Sequence, residues 1–186
     1  MKRTAWVLAG LLSAAESSAQ GYFGGSFGQG NFSDGVIAPL ITSGTADRDT
    51  TAFKLFGGLQ FQRNFGLEIA YVDLGDASYS GSFFGSPVTG GKVELTGFNL
   101  SGVASFPASA AVSIFGKLGL FFWDLKASDT TGGLPFATSA DGTDLSFGFG
   151  LDYSFRRNWA LRVEWESFKL EEESARLLSI GIVYRF

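Results

Sequence analysis

The 186-residue sequence predicts an all-β fold, a closed eight-stranded antiparallel up-and-down transmembrane β-barrel, and three observations carry that reading. Apolar and polar residues alternate with a period of two in eight successive segments, which in a strand sends the two sets to opposite faces. Long and short connectors alternate between those segments. Charged residues make up only 17% of the chain while aromatic residues reach 16%, with 20 Phe and 26 Gly. Against a usual charged share of about 25%, this is too little solvated surface for a protein surrounded by water. Beyond the N-terminus no apolar run approaches the ~18 residues that a spanning helix needs, so strands are the spanning elements that remain.

The first nineteen residues stand apart. Lys2 and Arg3 form a basic start, Thr4 to Ala15 is a short apolar stretch, and Ser17-Ser18-Ala19 offers the small residues a signal peptidase requires. Residues 1–19 therefore read as a cleaved secretory signal peptide, and 20–186 as the barrel domain. Losing Lys2, Arg3 and Glu16 removes a net +1, so the full chain's −4 becomes −5 in the mature chain. An acidic chain makes a poor nucleic-acid binder, and no nucleic-acid partner is expected.

The strands follow in order. Tyr22 to Phe32 is rich in Gly, which makes room inside a first strand. Thr51 to Arg63 sets Phe53, Leu55, Leu59 and Phe61 against Lys54, Gly58, Gln60 and Gln62, with Phe56 as a bulky exception on the polar side. Gly66 to Leu74 sets Leu67, Ile69 and Tyr71 against Glu68, Ala70 and Val72. Lys92 to Phe106 and Ala111 to Lys126 supply the next two. From Asp144 to Phe155, Leu145, Phe147, Phe149, Leu151, Tyr153 and Phe155 alternate with Ser146, Gly148, Gly150, Asp152 and Ser154. Trp159 to Phe168 puts Trp159, Leu161, Val163 and Trp165 on one face and Arg162, Glu164 and Glu166 on the other. Arg176 to Phe186 is the last strand.

Alternation alone does not say which face meets which medium. The apolar set is larger than one small barrel can enclose, whereas the opposite face is mostly Gly, Ala and Ser with a few charges, as the cramped interior of an eight-stranded barrel demands. Aromatic residues gather at strand ends, at Phe61 and Phe65, at Phe106, and at Phe155 and Trp159, where a membrane-water boundary would hold them. The apolar face is therefore expected to meet lipid. Three connectors are tight: Arg63-Asn64-Phe65, Pro107 to Ala110, and Arg156-Arg157-Asn158. The others, residues 33–50, 75–91, 127–141 and 169–175, are longer and rich in Gly, Ser, Thr and Asp. All short turns thus fall at one end of the barrel, with both termini beside them, the asymmetry of short periplasmic turns and long external loops.

The C-terminus is the most specific signal. Ser179-Ile180-Gly181-Ile182-Val183-Tyr184-Arg185-Phe186 resembles the closing-strand signal of bacterial outer-membrane proteins. Together with Phe65-Gly66-Leu67-Glu68-Ile69-Ala70-Tyr71 and Trp159-Ala160-Leu161-Arg162-Val163-Glu164-Trp165, the mature chain resembles the OmpA-like family of small eight-stranded barrels. The resemblance implies a bacterial outer-membrane location and insertion by the barrel-assembly machinery, aided by periplasmic chaperones, with Gly181, Tyr184 and Phe186 as the insertion signal. It also implies contact with outer-membrane lipids and lipopolysaccharide, and a monomer. The resemblance covers the barrel alone, and a wall-anchoring role is not expected to carry over from longer family members.

The interior charges are the remaining chemistry. Strand phase puts Lys54, Glu68, Lys117, Asp152, Arg162, Glu164 and Arg185 on the lumen face, with Glu166 nearer the outer end. Buried charges persist only when partnered, so they are expected to pair and plug the lumen; the alternative is a polar path for small solutes. The family resemblance implies Glu68 with Arg162 and Lys117 with Asp152 as pairs. Val103, inward where the family commonly has a charge, implies a thinner network. With no His and no Cys, neither a His base, a thiolate nucleophile, a disulfide nor a Cys/His zinc site can be assembled, and no catalytic residue, cofactor or metal site is expected. Gly90-Gly91-Lys92 lacks the Ser or Thr of a phosphate loop. Glu171-Glu172-Glu173 reads as a solvated run, and Trp123 and Trp165 as anchors near the outer rim. The expected function is a structural or surface-interaction role in the envelope, with an external ligand at the long loops, or, as the alternative, a small porin-like diffusion pore.

Overall fold

The computed structural model describes residues 20–37, 42–171 and 173–186, and the expected signal peptide lies outside the described residues. The chain runs β1 (Gln20–Phe32), α1 (Asp34–Ile37), β2 (Ser43–Asp47), β3 (Asp49–Gln60), β4 (Phe65–Phe83), β5 (Ser86–Pro107), β6 (Val112–Thr131), β7 (Leu134–Arg156), β8 (Trp159–Leu170) and β9 (Glu173–Arg185). Eight of these strands form a ring, β1-β3-β4-β5-β6-β7-β8-β9, closed by antiparallel pairing of β9 with β1. Closure pairs the staves on both sides, which a lipid environment requires because it offers no other partner to a backbone amide. β2 is not a stave; it lies along the far end of β4, Ser43 opposite Ser82 and Asp47 opposite Ser78.

The alternation places the side chains as the pattern demands. Leu67, Ile69, Phe98, Leu100, Leu118, Leu120, Phe147 and Phe149 are all exposed on the outer face. Between them Glu68, Asn99, Ser101, Lys117 and Ser146 are buried inside. Exposed Phe61, Phe65, Phe106, Phe155, Trp159 and Phe186 collect at the short-turn end. The turns there are tied by asparagines: Asn64 Nδ2 donates to the carbonyl of Ser105 (2.7 Å) and Asn158 Nδ2 to that of Arg185 (2.7 Å).

At the other end the strands outrun the sequence-based boundaries. Residues 75–91 and 127–141, expected as irregular loops, are mostly continuous hairpin. β4 and β5 meet at Phe84-Gly85, and β6 and β7 at Gly132-Gly133. Each turn has two successive residues at positive φ, 47° and 86° in the first, 59° and 84° in the second, the geometry that suits the twist of a tight hairpin. Residues 169–175 likewise shorten to a turn at positive-φ Glu171. The expectation failed because outside the membrane no apolar outer face is needed, so the greasy alternation that marks a spanning strand stops while the hydrogen-bonded ladder continues.

Along these extensions the interior chemistry inverts, and on β5 it does so without a change of phase. On β5, Phe98 and Leu100 point out with Asn99 and Ser101 inside; a few residues on, Lys92 and Glu94 point out with Val93 and Leu95 inside. On β4 the change comes with a bulge: the register shifts between Asp73 and Asp76, and the buried set passes from Val72 and Leu74 to Ala77 and Tyr79, with Asp76, Ser78 and Ser80 exposed. The same staves thus serve lipid on one stretch and water on the next.

Candidate functional site

The interior charges lie on six staves: Lys54 on β3, Glu68 on β4, Lys117 on β6, Asp152 on β7, Arg162, Glu164 and Glu166 on β8, and Arg185 on β9. All but Arg185 are buried. They form one connected chain. Arg185 Nη2 reaches Asp152 Oδ2 (2.6 Å), and Asp152 accepts a fork from Arg162, Nε to Oδ1 at 2.8 Å and Nη2 to Oδ2 at 3.0 Å. Arg162 Nη1 then donates to Glu68 Oε2 (2.8 Å), which also accepts from the Tyr22 hydroxyl (2.9 Å). Lys117 Nζ donates to Glu68 Oε1 (2.8 Å) and Glu166 Oε1 (2.9 Å) and contacts Glu164. Lys54 completes the chain on Glu164 and, at 2.5 Å, on Glu166. Four basic and four acidic groups cancel.

The network differs from the sequence expectation in three ways. Glu68 meets Arg162, but Lys117 and Asp152 are not partners: Lys117 is surrounded by glutamates and Asp152 by the two arginines. Glu166, placed near the outer end by reading, is a full member; it shares the parity of Arg162 and Glu164, and only its depth was misjudged, because β8 tilts across the barrel. Val103 lies opposite Lys117 on β5 and supplies it nothing, yet three carboxylates reach Lys117 from elsewhere, so the network is not thin.

Aromatic rings flank the charges. The Arg162 guanidinium sits 4.4 Å from the Phe115 ring centroid, 4.8 Å from Phe56 and 5.5 Å from Tyr22. Delocalised charge tolerates such a setting better than an ammonium does. Gly150 makes it possible, since a Cβ there would lie 2.7 Å from the tip of Phe115. In the sequence Phe56 stands out only as a bulky exception; its role depends on bringing β1, β3, β6 and β8 together. Ser26 and Ser179, both buried, face this region without a hydrogen-bond partner among the described residues.

Towards the hairpins the interior turns apolar, where reading expected small and polar residues. Phe121 and Phe168 meet at 4.5 Å between centroids, within one cluster that includes Phe32, Leu74, Leu95 and Leu177. Trp123, expected at the rim, is turned inward; its Nε1 donates to Asp144 Oδ2 (2.9 Å), which also accepts from the Glu171 amide. Trp165 does face out, packed on Phe147 and Phe149. Of the expected insertion signal, Gly181 lies opposite Ser26, Tyr184 packs on Phe23 and Trp159, and the Phe186 amide donates to Gly21 O (2.9 Å).

A closed stave ring, greasy outside and ion-paired within, defines a transmembrane β-barrel of the bacterial outer-membrane type. Residues 4–186 match the family model for the outer membrane protein beta-barrel domain, and the chain belongs to that family. It is 29% identical over 204 residues to outer membrane protein A of Yersinia pseudotuberculosis serotype I (strain IP32953), covering 100% of this chain and 56% of that protein. The chain spans about half the length of the curated relatives it matches. Among solved structures it is similar to Ail, the attachment invasion locus protein of Yersinia pestis, with a TM-score of 0.61 and 19% identity over 91% of this chain and 100% of that one. A structure of Ail with the heparin analogue sucrose octasulfate gives a TM-score of 0.60 at 16% identity, again over 91% and 100% of the two chains. The chain is thus an OmpA-like outer-membrane barrel.

Proposed function

We propose that the protein is a structural and surface-interacting barrel of the envelope whose lumen is closed by its ion-pair network. The observation that carries this reading is the network itself: eight interior ionisable groups, four of each sign, joined without a break across six staves. Charges so paired are held by mutual need, since withdrawing one strands another in a low dielectric. Both termini and the short turns lie on the periplasmic side, and the extended hairpins outside, among lipopolysaccharide and within reach of a host or surface ligand. Ail, a barrel of similar fold, has been solved in complex with a heparin analogue, a precedent for a ligand on such a barrel. The barrel works as a monomer, inserted by the barrel-assembly machinery through Gly181, Tyr184 and Phe186, and its relatives give no reason to look for catalysis. Single-channel recording of the refolded mature chain in planar bilayers tests the reading. Silence is expected, whereas steady conductance would establish the diffusion pore instead.

A further inference from the structure

Beyond the ion network the lumen passes through a layer of different chemistry. Six side chains contribute to it, each from a different stave: Phe32 of β1, Leu74 of β4, Leu95 of β5, Phe121 of β6, Phe168 of β8 and Leu177 of β9. None is more than 1% exposed, and all belong to one continuous apolar cluster. The two layers act differently on a passing ion. In the network, carboxylates and ammonium groups are donors and acceptors that can exchange partners with water or with the ion. The apolar layer offers nothing to exchange: water entering it loses hydrogen bonds, an ion loses its hydration, and apolar constrictions of this kind close by dewetting.

We propose that the permeability barrier of this barrel is the apolar layer formed by Phe32, Leu74, Leu95, Phe121, Phe168 and Leu177, and that the ion network beneath it is a structural member rather than the gate. The inference rests on the closed-lumen reading and says where the closure lies. It explains why, towards the hairpins, large apolar side chains fill the interior with no charged groups among these six, where nothing about the lipid outside requires it. Phe121 and Phe168 hold the centre, their ring planes inclined by 42°.

The test compares two trims of the refolded mature chain in planar bilayers. Glu68→Ala with Lys117→Ala removes one acid and one base from the network and keeps it neutral. Phe121→Ser with Phe168→Ser opens and wets the layer. The network trim is expected to stay silent, and the layer trim, alone or combined with the network trim, to show discrete openings. Opening of the network trim while the layer is intact would overturn the inference, as would continued silence of the combined variant. A conducting wild type would instead overturn the closed-lumen reading, so the two failures are distinct. Retention of a heat-modifiable gel band shows which variants fold, and Leu95→Ala with Leu177→Ala replaces the serine pair if that one does not. A second measurement is independent of conductance. The chain has no Cys, so Ser179→Cys, on the network side of the layer, gives a single thiol. A membrane-impermeant thiol reagent added on the hairpin side is expected to leave it unmodified unless the layer is trimmed; modification with the layer intact would overturn the inference.

Discussion

At the scale of single residues, Glu68 is the junction of the lumen, taking hydrogen bonds from Arg162, Lys117 and Tyr22. Removing one partner of a buried pair costs about 3–5 kcal/mol, chiefly because the other charge is left stranded. Glu68→Gln and Arg162→Gln are each expected to lower stability in urea by about that much, and the double variant by less than the sum. Strictly additive losses would remove the pairing. The same cycle separates the observed partners of Lys117 from the one that the family resemblance implied: Lys117 should couple strongly with Glu166 and weakly with Asp152. That error shows what was legible. Parity assigns a side chain to a face, and it put seven charges inside from sequence alone. Partnership depends on strand tilt and on how far each side chain reaches around the barrel, and neither quantity is written in a local pattern.

At the scale of the strand, the change of chemistry along an unbroken pleat makes position, not face, decide the cost of a charge. Leu100 and Glu94 share the outer face of β5, six residues apart. Arg at Leu100 should cost about 2–4 kcal/mol near the middle of the bilayer, and Arg at Glu94 almost nothing. Equal costs measured by urea unfolding in lipid would place the boundary wrongly. The same inversion explains why residues 75–91 and 127–141 look like loops in the sequence: Gly, Ser, Thr and Asp are loop chemistry, and the paired positive-φ residues at 84–85 and 132–133 that close the two hairpins are visible only in the structure. Beyond the boundary Tyr79 donates to Asp129 Oδ2 (2.8 Å) across neighbouring hairpins. Burial pushes the Tyr79 phenol up, and the Asp129 carboxylate that accepts its hydrogen bond pushes it further. The folded hairpins therefore keep Tyr79 protonated where the unfolded chain would ionise, so the stability this contact adds is intact below the ordinary tyrosine value of about 10 and is lost as pH rises above it. Hydrogen exchange of residues 77–93 should quicken above that pH, and Tyr79→Phe should flatten the dependence.

At the scale of the whole molecule, two bodies share one set of strands: a lipid-facing barrel stretch with a polar, ion-paired inside, and a water-facing sleeve with an apolar inside. The first needs a membrane, because exposed Leu, Phe and Ile side chains cover its outer face. The mature chain should therefore fold only in detergent or lipid, with a heat-modifiable gel band. A stable monomeric β-fold in plain buffer would turn the assignment of faces inside out. The second body has its own core, and its strands are expected to depend on the first for alignment, not the reverse, because β4 and β5 leave the barrel already paired and shift register only beyond Asp73. Replacing residues 81–88 and 130–135 by two-residue turns removes the distal ends of both long hairpins and leaves untouched the closing β1–β9 pairing, the eight charges and the six apolar residues that cross the lumen. The shortened chain should keep the heat-modifiable band and stay silent in bilayers, while any contact made at the hairpin tips is lost. Loss of folding on trimming would mean that the sleeve aligns the staves, and the order of dependence would have to be reversed.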